Sequence, residues 1–166
     1  MRPSLADRLY KGFVGGFLGV NGMHWLGFHI RDFVYPGAPT HFHPALIARR
    51  IARALGREQD LTEQQIWSLG VLIHYWYGGF WGAVYGLIYD RIPLPSVLSG
   101  WLLAAFLWTI AFPGWIPAFG IAPPFYKLEK DDLLGTIAGH TGYGLATGLF
   151  VRALLGAGHK ADSAAQ

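Results

Sequence analysis

The chain has 166 residues, of which 52% are hydrophobic, 16% aromatic and only 14% charged. Soluble domains average about 25% charged residues, and disordered chains carry few apolar ones, so the composition argues against both an ordinary soluble surface and disorder. A net charge of +3 spread over scattered basic residues argues against a nucleic-acid partner, and the absence of cysteine excludes disulfide scaffolds and thiolate metal sites.

The positions of the charges decide the class. No Asp, Glu, Lys or Arg occurs between Lys11 and Arg31, Glu63 and Asp90, Arg91 and Lys127, or Asp132 and Arg152. A helix needs about 20 mostly apolar residues to cross a hydrocarbon core. The gaps therefore predict an all-α polytopic membrane protein with spans over 11–30, 65–89, 95–116 and 133–152. Residues 1–156 form one four-helix transmembrane domain in this reading, and 157–166 a disordered tail. A soluble all-α domain would have too little polar surface to cover four such stretches.

The first span follows Arg2, Arg8 and Lys11, but Asn21 and His24 interrupt it and no small-x-small cleavage site follows. It is expected to remain as a helix rather than act as a signal peptide. The loop after it opens with Pro36, Pro39 and Pro44 around His41-Phe42-His43. Lacking a third ligand nearby in sequence, that His-x-His pair is expected to be solvated or to touch lipid headgroups. A short amphipathic helix is expected over 45–56, with Ile47, Ile51 and Leu55 on one face and Arg49, Arg53 and Arg57 on the other, Arg50 beside them. Two placements stand open: on the lipid surface, with Arg49, Arg50, Arg53 and Arg57 at headgroup phosphates, or packed on the bundle by its Ile/Leu edge.

Thr62 offers a cap for the second span. Pro93 and Pro95 turn the chain into a hairpin before the third, which is expected to fray at Pro113. Asp131 and Asp132 suit the N-terminus of the fourth helix. With the N-terminus cytoplasmic, the basic residues divide six against seven, so orientation is not encoded by the positive-inside rule. Trp67, Tyr89, Trp101, Trp115 and Tyr126 fall near the expected interfaces; Tyr75, Trp76, Tyr77 and Trp81 fall deeper.

Small residues four apart let helices approach closely in lipid. Such rows occur at Gly12 and Gly16, Gly15 and Gly19, Gly78, Gly82 and Gly86, Gly135 and Gly139, and Gly144 and Gly148. They serve either the bundle itself, a homo-oligomer, or docking into a larger membrane complex. His24, His74 and His140 lie on these rows and so near the packed faces, because four residues drift only about 40° around a helix. Intramembrane ionisable groups are functional candidates. Three roles are open: interhelical hydrogen bonding, a path for protons or a small solute, or ligation of haem b, for which His74 and His140 are the expected pair. No metal site and no enzyme motif is found.

The second half resembles the YagU family of small bacterial inner-membrane proteins. The similarity is carried by Phe112-Pro113, Gly120-x2-Pro123-Pro124, Leu128 leading through acidic residues to Gly139-His140, and Arg152, with His74, Tyr89 and Pro93 in the preceding hairpin. The loop from Ala45 to Glu63 departs from that pattern, as does His24. The resemblance implies a bacterial inner-membrane location and no cofactor, and it marks His74 and His140. The expected function is thus an accessory or envelope role with a histidine-lined path. A haem-b redox subunit and a structural subunit of a larger complex are the alternatives.

Overall fold

The computed structural model describes residues 3–39 and 41–164. Among them there is no strand; the elements are α1 (Leu5–Val34), α2 (His43–Ala54), α3 (Glu63–Ile88), α4 (Ser96–Ile110), a three-residue α5 (Ile116–Ala118) and α6 (Lys130–Ala164). The starts of α1 and α3 have local chemical causes. The Ser4 side chain accepts a hydrogen bond from the Asp7 N–H, and Thr62 with Gln65 forms a reciprocal capping box. The helix α6 runs to Ala164, through most of the segment expected to be disordered. Residues such as Ala157, Lys160 and Ala161 favour helix, and propensity outweighs polarity there. Residues 165 and 166 of that expected tail lie outside the described residues.

Four long helices form an antiparallel arc in the spatial order α3, α1, α6, α4. Its joints are glycines. A Cβ on Gly12 or Gly16 would strike the backbone of Gly82, and one on Gly86 would strike Gly12. Gly22 and Gly27 of α1 lie equally close to Gly142 and Gly139 of α6, and Gly100 of α4 meets Gly144 and Gly148. Of the predicted rows, Gly12/Gly16 and Gly78/Gly82/Gly86 thus meet one another within the chain, while Gly15 and Gly19 meet Val151 and Thr147. Arg8 closes one end of the bundle through a 2.6 Å ion pair with Asp90 in the α3–α4 turn.

The helix α4 does not fray at Pro113. It passes into a single π turn, Ala111–Trp115, in which Gly114 leaves helical geometry (φ −104°, ψ −106°), and then into α5. Proline lacks the N–H that the ladder needs, and a wider turn accommodates the defect without ending the helix.

The helix α2 lies on the start of α3, but not by the expected edge. Ala45, Ala48 and Ala52 are buried against Ile66, and the Ala45 backbone sits over Gly70. Ile51 and Leu55 remain exposed. Small side chains permit the closer approach, and the gain in contact outweighs burying two larger residues. Among the described residues, the helical stretch Ser96–Ala118 is long and apolar enough to cross a membrane.

Adding a methyl group at Gly82 would place it 2.6 Å from the Gly16 nitrogen, where only backbone can yield. Gly82→Ala is expected to lower stability by about 2–3 kcal/mol, measured by thermal unfolding in detergent. Gly156 has open space around it, so Gly156→Ala should instead raise stability by up to about 1 kcal/mol. Equal effects at the two positions would remove the close-packing argument.

Candidate functional site: a histidine-lined cavity

Where the glycine row between α1 and α3 ends, at Val20 and Gly78, the next residues in register are His24 and His74. Their imidazoles fill the gap that glycine leaves lower down. His24 Nε2 lies 3.1 Å from His74 Nδ1, and His74 Nε2 lies 2.9 Å from Met23 Sδ. Sulfur can only accept, so His74 carries its proton on Nε2 and accepts on Nδ1. His24 then donates from Nε2 and keeps a lone pair on Nδ1. Across the space, the His140 Nδ1–H donates to the Thr136 carbonyl at 2.8 Å, which leaves Nε2 with its lone pair.

All three histidines line one cavity of about 230 Å³. Its walls are largely aromatic: Phe28, Phe42, Tyr77, Trp81, Phe112 and Trp115. Its floor is Val20, Gly78 and Tyr143, whose hydroxyl donates to the Gly78 carbonyl at 2.6 Å. Below the floor the glycine seams are in contact and Thr147 is fully buried. The cavity therefore ends within the bundle.

The mouth is formed by His41, His43, Arg31 and Asp132. His43 is not solvated as expected. It is buried at the start of α2, 3.5 Å from the Asp132 carboxylate and edge-on to Phe112. Docking of α2 through its alanines draws the residue inward. Burial pushes the His43 imidazole below its ordinary value, against the attraction of Asp132 and with a smaller contribution from His41. Burial likewise raises Asp132, opposed first by His43.

The four arginines expected at lipid headgroups are occupied within the protein. Arg49 reaches Glu63 at 2.5 Å, Arg53 binds Glu58 at 2.6 Å, Arg57 binds Asp60 at 2.5 Å, and Arg50 donates to the Phe119 carbonyl at 3.0 Å. The hydrogen bond from Arg53 is the main cause holding the Glu58 carboxyl below the usual range. Of the pair expected to hold haem, His74 has both ring nitrogens within hydrogen-bonding distance of His24 and Met23. Among the described residues no group of three His, Asp or Glu side chains could hold a metal ion.

The sequence pattern located His24, His74 and His140 on packed faces, and the structure brings all three to one cavity. It did not find Arg31, Asp132 or His43 as parts of the same site, although each stands at the edge of a charge-free stretch or loop. Compared with known proteins, the chain matches no family model, no curated relative and no solved structure.

The His43–Asp132 contact has a measurable signature. In the unfolded chain His43 takes up a proton near the ordinary imidazole value of 6.5, while the folded protein resists it. Its contribution to stability is thus intact above that pH and falls as the pH drops below it. An NMR titration should give His43 a midpoint below 6.5, and Asp132→Asn, which removes the attraction, should lower it further. A midpoint that rises in Asp132→Asn would contradict the assignment.

Proposed function

We propose that this is a four-span protein of a bacterial inner membrane that holds a small solute, or protons, in its histidine-lined cavity, in an accessory rather than an enzymatic role. The observation that carries the reading is an exposed apolar belt. Trp25, Leu72, Trp76, Phe80, Leu102 and Phe106 stand exposed along the shafts of the long helices. An exposed apolar belt of this kind is what lipid contacts require and water does not tolerate. Charged pairs sit at the two ends, at Arg8–Asp90 on one side and around Arg31, Asp132 and α2 on the other. The stretch Ser96–Ala118 supports one span on composition alone. The α1, α3 and α6 spans rest on length, on the charge-free gaps and on the apolar belt.

The closed floor favours a site opening at one mouth over a path through the bilayer. Gly135 lines the cavity, and its added Cβ would come no nearer than 3.6 Å to Arg31, so a cysteine is tolerated there. In a chain without native cysteine, the Gly135→Cys variant should react in vesicles with a water-soluble thiol reagent from one side. The Thr147→Cys variant should not react from either side, and both proteins should stay in the membrane after alkaline carbonate. Labelling of Thr147→Cys from the opposite side would replace the one-mouthed site with a through-path. Release by carbonate would remove the membrane reading.

A further inference from the structure

Three seams of the bundle are closed by glycine backbone, and the fourth is not. Between α3 and α4 the helices do not approach backbone to backbone over their middle length. The gap is filled by rings: Trp81 meets Phe106 edge-on at 5.6 Å, and Tyr77 meets Trp115 at 6.2 Å. Only near the Asp90 turn is this seam tied, by Tyr85 to Ser99 at 2.6 Å and Tyr89 to Ser96 at 2.8 Å. Tyr77, Trp81 and Trp115 line the cavity on their inner side, while Tyr77 and Phe106 are exposed on the outer surface. Rings can turn about side-chain bonds while the backbone stays in place, whereas a glycine seam opens only by moving whole helices. The cavity is thus separated from the apolar exterior by side chains alone.

The groups facing an occupant define its chemistry. The indole N–H of Trp81 is buried out of reach of the cavity, with the Tyr77 hydroxyl beside it. His140 Nε2 and His24 Nδ1 hold lone pairs with no donor from the protein. An occupant must therefore donate. It must also be neutral, because the charges near the cavity lie at its mouth and are engaged, Arg31 with Asp32 and Asp132 with His43. The aromatic walls suit a flat ring.

We propose that the cavity takes a neutral, lipid-borne phenol or hydroquinone that enters sideways through the Tyr77–Trp81–Phe106–Trp115 seam, with a hydroxyl donating to the His140 lone pair. This inference rests on the membrane-embedded cavity of the previous section. The test is saturable binding of decylhydroquinone to the full chain in lipid nanodiscs, read by tryptophan fluorescence, with decylbenzene as the probe lacking hydroxyls. Decylhydroquinone should saturate as a function of its mole fraction in lipid, and decylbenzene should not. Loss of the hydrogen bond should weaken binding about tenfold in His140→Phe at unchanged helical content. Equal behaviour of the two probes, or indifference to His140→Phe, would overturn the assignment as mere partitioning. If decylhydroquinone fails while Gly135→Cys is still labelled from one side, the ligand class falls and the cavity stands. If Gly135→Cys is also inert, the cavity reading itself falls.

Discussion

Everything in this structure depends on how closely α1 approaches two other helices at once. Gly12 and Gly16 let it touch the backbone of α3, and Gly22 and Gly27 let it touch that of α6. Such contact depends on having no side chain on either surface, so each glycine is constrained by its opposite number as much as by its own helix. A helix held in this way on two faces cannot shift without separating both seams. That rigidity permits a cavity to exist in so small a bundle without collapsing, because the walls are fixed by the packed half below it.

The same register explains the site. The rows on α1 and α3 run antiparallel, so Gly16 meets Gly78 and Gly82, Val20 meets Gly78, and one step further His24 meets His74. The change from hydrogen to imidazole forces the helices apart and turns a seam into a lining. Interior polarity is then satisfied locally: His74 by His24 and Met23, His140 by a carbonyl of its own helix, and Tyr143 by the Gly78 carbonyl. What remains without a hydrogen bond is small: two imidazole lone pairs facing the cavity, and the Trp81 indole N–H and Thr147 hydroxyl buried away from it. Buried polar groups carry a cost until they are paired.

The loop elements complete the site at its mouth. The helix α2 uses alanines to reach α3, and this brings His43 under the rim beside Asp132. Its arginines are tied to Glu58, Glu63 and the Phe119 carbonyl, and Arg57 just beyond it to Asp60, so the basic face holds its own loop together. The π turn at Pro113 has a related effect on the opposite wall. It keeps Phe112, Trp115 and Ile116 on the cavity side although the chain there is rich in proline and glycine.

Helix content, the presence of four long helices and the faces on which the glycines and three histidines lie were legible along the chain, because each follows from local spacing: charge-free runs, a cap at Thr62, and steps of four residues; the start of α1 at Leu5 and the reach of α6 to Ala164 were not. The partners of those faces were not legible, since a row of glycines carries no address. Neither was the burial of His43, which follows from alanines docking where the isoleucines looked the better edge, nor the pairing of the arginines, whose carboxylates stand up to 14 residues away. By itself the sequence determined which surfaces can come together, because small residues and periodicity are properties of one helix. Only the tertiary structure decided that three seams close on backbone and the fourth on rings, because that choice depends on which helices become neighbours.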